Sequence, residues 1–116
     1  MNIEYKNSRL QKDCTDYKRA VKQYNSEVAD RLHAAINFIE AAENISAVVK
    51  YPPFHFHPLK RDRKGFFAID LGRKIGFRLI VRPKKGECYA TVEEIYGDTA
   101  SEIVLVRLEE VTNHYE

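Results

Sequence analysis

The sequence predicts an α+β fold, in which an N-terminal helical pair packs on one face of a curled, mostly antiparallel β-sheet. Apolar residues recur every three or four positions from about Ser8 to Glu43, which is the spacing of amphipathic helices. After Pro53 apolar and polar residues alternate, which is the spacing of strands. Short breaks with glycine or aspartate separate these strands and favour antiparallel hairpins. At 116 residues we expect one domain, spanning 1–116.

Local signals predict the individual elements. Asn2 to Lys6 can form a short first strand, and Asn25 or Ser26 can serve as an N-cap that divides the helical run into two helices. Pro52-Pro53 ends the helical half of the chain, because proline cannot continue a helix. We expect the later strands at 54–59, 66–71, 77–81, 90–96 and 103–111.

The alternation in these strands assigns side chains to the two faces of the sheet. If Phe77, Leu79 and Val81 face the helices, Arg78 faces the other way. His55 and His57 share one side of their own strand. One face is therefore predicted to be apolar, and the other to gather histidines and arginines together with Phe66, Ala68, Asp70, Ile80 and Arg82.

Charge is distributed unevenly along the chain, although its net charge is only +2. The 26 residues from Lys60 to Lys85 contain ten basic and two acidic residues, a net charge of +8. The segment from Gly86 to Glu116 contains eight acids and Arg107, a net charge of −7. A basic block of this density favours a polyanionic partner, although a solvated strand surface can be equally basic.

Composition argues against several classes of protein. No apolar run approaches 18 residues and the first residues lack an apolar signal-peptide core, so we expect neither a membrane span nor export. Cys14 and Cys88 are far apart, which argues against a disulfide framework or a zinc site and favours the cytoplasm. His55 and His57 could be half of a metal site, but no third ligand has clear spacing. We therefore expect no metal and no cofactor.

Three segments resemble a known toxin family. The stretch from His57 to Leu71 (HPLKRDRKGFFAIDL), the later Phe77-Arg78-Leu79-Ile80-Val81 and the helical Glu27-Val28-Ala29 agree with it in order, spacing and residue type. These features resemble the killer-protein (HigB) branch of the RelE/ParE toxin superfamily. The chain departs from the family pattern at Arg61, where the family has glycine, at Phe66, and at its C-terminus, where Asn113-His114-Tyr115 replaces Asp-Tyr-His.

The resemblance implies a type II toxin that cleaves mRNA in the ribosomal A site without a metal ion. Such chemistry needs a base for the 2′-OH, a cation at the phosphate and an acid for the leaving 5′-oxygen. At family positions His57 and His114 are the natural proton carriers, and Tyr115 could take part of the role of His114. Lys60 could stabilise phosphate charge or act as the base, and Arg78 offers a planar fork for the phosphate. Which histidine is the base does not follow from the sequence.

The resemblance also implies binding partners, and basic residues around the site are expected to bind RNA. The partners are the ribosome with its mRNA and a HigA-like antitoxin with a helix-turn-helix domain, through which promoter DNA would be bound. Two other functions stay open, namely a ParE-like inhibitor of DNA gyrase and an RNA- or DNA-binding module without catalysis. The residues expected at RNA phosphates are Arg61, Arg63, Lys64, Arg73, Lys74 and Arg82.

Overall fold

The computed structural model describes residues 1–113 and contains the two halves that the sequence predicts. Helices dominate before the paired prolines, and strands dominate after them. Short 3-10 turns occupy Pro52–Phe54, Arg61–Arg63 and Asp98–Glu102. In chain order the elements are β1 (Asn2–Tyr5), α1 (Ser8–Thr15), α2 (Tyr17–Gln23), α3 (Ser26–Ala41), α4 (Ile45–Val49), β2 (His57–Pro58), β3 (Phe67–Asp70), β4 (Arg78–Lys85), β5 (Cys88–Tyr89), α5 (Val92–Tyr96) and β6 (Leu105–Thr112).

Side-chain caps determine where the first helices begin. Asn25 accepts a hydrogen bond from the backbone N–H of Val28 and starts α3, as predicted. Asp16 does the same for the N–H of Arg19, and this second cap divides the preceding stretch into α1 and α2. The stretch from Ser8 to Glu43, which was predicted to form a pair of helices, therefore contains three helices. The short helix α4 follows as a fourth.

The sheet has the strand order β1-β6-β4-β3-β2, and β5 pairs with the end of β4. All of these pairings are antiparallel except that of β1 with β6, which is parallel. The prediction of a mostly antiparallel sheet is thus confirmed. Because β6 lies directly beside β4, the acidic C-terminal part of the chain returns alongside the basic block.

The main core lies between the helices and one face of the sheet. Phe67 and Ile69 of β3 and Leu79 and Val81 of β4 are buried there. The helices contribute Leu10, Cys14, Leu32, Ile36, Ile39, Ile45 and Ile95 to the same cluster. A much smaller cluster of Leu59, Ala68 and Ile80, with Phe66 packed against it, lies outside this core. The alternation therefore assigned the two faces correctly, and burial stabilises the helical face.

Two of the predicted strands are wrong. The segment 90–96 was expected to be a strand, but Val92–Tyr96 is helical because Thr91 and Glu94 form a capping box. The Thr91 Oγ1 accepts from the Glu94 N–H at 3.2 Å, and the Glu94 carboxylate accepts from the Thr91 N–H at 2.9 Å. The strand expected at 54–59 is reduced to His57–Pro58, because Pro52–Phe54 form a 3-10 turn.

Within residues 1–113, no helix is both long and apolar enough to cross a membrane.

Candidate active site and nucleic-acid surface

The outer face of the sheet, opposite the helices, brings two of the predicted site residues into one area. His57 of β2 is opposite Ala68 of β3, and Arg78 of β4 is opposite Asp70 of β3. Because side chains alternate along each strand, all four project from this same face. Arg78 is two strands away from His57, a separation that two intervening side chains bridge.

Asp70 and His55 are these bridging side chains. The Asp70 carboxylate lies 3.4 Å from Nε of Arg78 through Oδ1 and 3.4 Å from Nδ1 of His55 through Oδ2. The rings of His55 and His57 are 4.9 Å apart between centroids. A continuous line of side chains, which we call the outer-face line (His57, His55, Asp70, Arg78), therefore joins the predicted proton carrier to the predicted phosphate ligand.

A hydrogen bond selects the tautomer of His57. Its Nδ1 lies 2.7 Å from the backbone carbonyl oxygen of His55. A carbonyl oxygen only accepts, so Nδ1 carries the proton and donates it. The neutral ring then presents the lone pair of Nε2, which is the form that a general base requires.

The backbone at His55 is unusual, and it makes this hydrogen bond possible. His55 follows the Pro52–Phe54 turn in the left-handed region, with φ 43° and ψ 47°. A non-glycine residue in this region costs on the order of 1–2 kcal/mol, and such strain occurs often at functional sites. Here the conformation places the His55 carbonyl against the His57 ring while the His55 ring reaches Asp70.

Lys60, which follows the strand predicted at 54–59, lies two residues beyond the end of the shorter observed β2. It is exposed and precedes the 3-10 turn Arg61–Arg63, and a cavity is lined by Lys60, Arg61, Asp62 and Arg63. Arg61 has a left-handed backbone with φ 56°. Glycine adopts a left-handed backbone at the lowest cost, so a side chain at this position is strained.

The predicted RNA-binding residues fall into two groups. Arg61, Lys64, Arg73 and Lys74 are exposed on loops at the rim of the sheet. The other two have partners within the protein: Arg63 forms an ion pair with Glu110 at 2.7 Å, and the guanidinium of Arg82 lies against two aromatic rings, those of Phe66 and Tyr89.

The acidic C-terminal part neutralises some of the basic block. Besides the pair between Arg63 and Glu110, Lys85 pairs with Glu94 at 3.4 Å. At the other edge Lys84 pairs with Glu4 of β1 at 3.5 Å. The field of the folded protein is therefore weaker than the +8 of the sequence block predicts. The exposed positive charge that remains includes the rim-loop residues Arg61, Lys64, Arg73 and Lys74.

Two of the predicted site residues lie outside the described residues. They are His114 and Tyr115, and the structure does not test their proposed roles. The last described strand, β6, ends at Thr112, whose partner in the sheet is Arg78. β6 thus ends beside the outer-face line.

Sequence reasoning placed Asp70 on the outer face and His55 on the side of His57, but it assigned neither residue to the site. Their alternation with buried neighbours was the available signal. What it could not show is the register that places Asp70 opposite Arg78, or the left-handed turn that directs His55 towards Asp70. Both depend on tertiary structure.

No protein-family model matches this sequence, and no curated protein shows significant similarity to it. Among solved structures, the fold is similar to that of a YoeB/ParE toxin from Agrobacterium tumefaciens, with a TM-score of 0.53 and 14% sequence identity. The alignment covers 99% of this chain and 100% of that chain. This similarity confirms the predicted α+β fold, whereas membership of the RelE/ParE superfamily and of its HigB branch stays a prediction. The described part of the chain therefore has an α+β fold similar to that of this toxin.

Proposed function

We propose that this protein is the toxin of a type II toxin–antitoxin system and that it cleaves mRNA on the ribosome as a metal-free endoribonuclease. The observation that carries the proposal is the outer-face line. It links an imidazole with a defined tautomer to an arginine through a carboxylate, on an open surface with a basic rim. Proton carriers next to a guanidinium are the groups that RNA cleavage by the 2′-OH requires.

The proposed reaction is transfer of the phosphoryl group to the neighbouring 2′-oxygen. Nε2 of His57 removes the 2′-OH proton, and the 2′-oxygen attacks phosphorus. The P–O5′ bond breaks, and an acid from the C-terminal residues, His114 or Tyr115, protonates the leaving 5′-oxygen. The products are a 2′,3′-cyclic phosphate and a 5′-OH, so atoms and charge balance without a metal ion.

Arg78 and Lys60 stabilise the charge that develops on the phosphate oxygens. The planar guanidinium of Arg78 can bind two of those oxygens with its terminal nitrogens, while Asp70 faces its Nε. Removing one such preorganised donor from an enzyme typically costs about 10²–10³-fold in rate. Loss of a positioned acid or base costs about 10²–10⁴-fold.

The peripheral charges support docking to the ribosome. A chain of this size has little surface for reading a sequence of bases, so the ribosome presents the codon and the basic rim binds phosphates nonspecifically. The exposed residues of the rim are Arg61, Lys64, Arg73 and Lys74.

The proposed partner is a HigA-like antitoxin that carries a helix-turn-helix domain and binds promoter DNA as part of the complex. A ribosome-dependent nuclease would stop its own host, so an inhibitor has to accompany it. We propose that the inhibitor covers the helical side from Ser8 to Glu43 and blocks entry to the ribosome. The proposed compartment is the cytoplasm, in keeping with the two free thiols of Cys14 and Cys88.

Cleavage assays in a translating extract test this proposal. His57→Ala, Lys60→Ala and Arg78→Ala should each reduce mRNA cleavage by about 10²-fold or more and leave thermal unfolding unchanged. Asp98→Ala, in an exposed 3-10 turn far along the chain from the outer-face line, is the matched control and should retain activity. Full activity of both Lys60→Ala and Arg78→Ala would refute the assigned site. Intact mRNA with stalled DNA replication would instead indicate a gyrase inhibitor.

A further inference from the structure

A second cluster on the outer face surrounds Arg82. Its guanidinium carbon lies 3.5 Å from the ring centroid of Tyr89 and 4.4 Å from that of Phe66. Both contacts are within the range of strong cation–π interactions. We name this cluster the stacking clamp (Phe66, Arg82, Tyr89).

Strand pairing places both rings beside Arg82, along the edge of β4 that faces β3 and β5. Phe67 pairs with Val81, so the preceding residue, Phe66, lies next to Arg82 across the strands. Tyr89 pairs with Lys84 through a tight hairpin that turns at Gly86 and Glu87. Hydrogen-bonded backbone therefore holds both Phe66 and Tyr89 in place beside Arg82.

The charge of Arg82 is not neutralised within residues 1–113. Neighbouring cations each have a carboxylate: Arg63 pairs with Glu110, and Lys84 pairs with Glu4. Arg107 also pairs with Glu4 and with Glu109. Arg82 makes no such pair in the described chain, and its Nε is buried without a hydrogen-bond partner there. An anionic ligand at the guanidinium would supply the charge partner that the described chain does not provide.

We propose that the stacking clamp is a binding subsite for one nucleotide of single-stranded RNA, separate from the cleavage site. A phosphate oxygen accepts from Arg82, and a base stacks on Tyr89, a residue that is 39% exposed although one face of its ring lies against the guanidinium. Base–aromatic stacking tolerates any base, because every base has a π face. An acidic peptide would use the guanidinium but would gain nothing from the exposed ring.

The subsite also has a defined position relative to Arg78. Both arginines project from the outer face of β4, four residues apart, which corresponds to about 13 Å along the strand. A strand of RNA with one phosphate at Arg78 can therefore reach the clamp within a few nucleotides. Only this last step, the feeding of RNA towards His57 and Arg78, rests on the proposed function.

The test measures binding of the full chain to a fluorescent 2′-O-methyl RNA hexamer, which cannot be cleaved through its 2′-oxygen. Tyr89→Leu should weaken binding about tenfold, because it removes the π face, whereas Tyr89→Phe should bind within about twofold of the wild type. Tyr17→Leu, at an exposed tyrosine of α2 on the helical side, is the matched control and should bind normally. Thermal unfolding of each variant checks the fold.

A second measurement avoids substitution altogether. In the wild-type protein, titration with the hexamer should shift the NMR ring resonances of Tyr89 more than those of Tyr17, because a stacked base imposes a ring current. Unchanged binding of Tyr89→Leu, equal losses for Tyr89→Leu and Tyr17→Leu, or unshifted Tyr89 resonances would overturn the subsite. The same Tyr89 dependence towards a poly-glutamate peptide would overturn it in favour of an acidic protein partner.

The outcomes for the clamp and for the nuclease are distinguishable. If wild-type protein binds the hexamer in a Tyr89-dependent way but cuts no translated mRNA, the subsite stands and the proposed function fails. If the protein cuts mRNA while Tyr89→Leu binds and cuts as the wild type does, the proposed function stands and the subsite fails. Where both hold, Tyr89→Leu should raise KM for cleavage and leave kcat unchanged.

Discussion

Replacing Arg61 with glycine should stabilise the protein. Arg61 has a left-handed backbone with φ 56°, which costs a residue with a Cβ roughly 1–2 kcal/mol. Glycine removes this cost. It also increases the conformational entropy of the unfolded chain, which lowers the free energy of unfolding by roughly 0.5–1 kcal/mol. The net gain in the free energy of unfolding is about 0.5–1 kcal/mol. For a chain of this size, that gain corresponds to a rise in Tm of about 2–5 °C.

Arg61→Ala separates the backbone effect from the loss of charge. Alanine removes the guanidinium but keeps the Cβ, so calorimetry should show the rise in Tm only for Arg61→Gly. Both variants should lose the same affinity for ribosomes, and the salt slope of binding should fall by about 0.7–0.9 if one phosphate contact is lost. An equal rise in Tm for the two variants would refute the assignment of strain to this backbone position.

Three further predictions concern the helical side of the molecule. Asp13→Ala should lower the free energy of unfolding by about 2 kcal/mol in denaturant titrations, because the buried carboxylate accepts from Arg19 at 2.8 Å; an unchanged midpoint would contradict this. Burial raises the pKa of the Cys14 thiol to about 12, so iodoacetamide at neutral pH should label exposed Cys88 and leave Cys14 unmodified until the protein unfolds. The hydrogen bond from the Thr91 backbone lowers the pKa of Glu94. The stability that this carboxylate contributes is therefore present above its ordinary pKa and is lost as pH falls through the lowered value. Amide exchange in α5 should accelerate in that acidic range, and a Glu94→Gln variant should show no such acid dependence.

Much of the fold was predictable because its signals are local. Asn25 caps α3 and the alternation of β3 and β4 separates core from outer face, as predicted. The α5 helix was missed even though its capping box is visible as Thr91 and Glu94, because a five-residue helix offers too few turns to establish a helical period. The break at Asp16 was missed because the apolar spacing continues across it.

The site was predictable only in part, because its geometry depends on pairing between distant strands. His57 and Arg78 could be assigned to one face from alternation alone. The contacts of Asp70 with Arg78 and His55 require the register of β3 on β4 and a strained turn. The neutralisation of Arg63 by Glu110 requires β6 to lie beside β4, and no local pattern in the sequence predicts that order.

The chemistry of the RNA ends produced in a translating extract tests the central claim most directly. The proposed reaction predicts breaks at a fixed position in the reading frame that carry a 5′-OH on one side and a 2′,3′-cyclic phosphate on the other. These breaks should be abundant on translated mRNA, scarce on naked mRNA and about 10²-fold fewer with Arg78→Ala. Equal cutting of naked and translated mRNA, or breaks that carry 5′-phosphates, would contradict ribosome-dependent cleavage by the groups of the outer-face line.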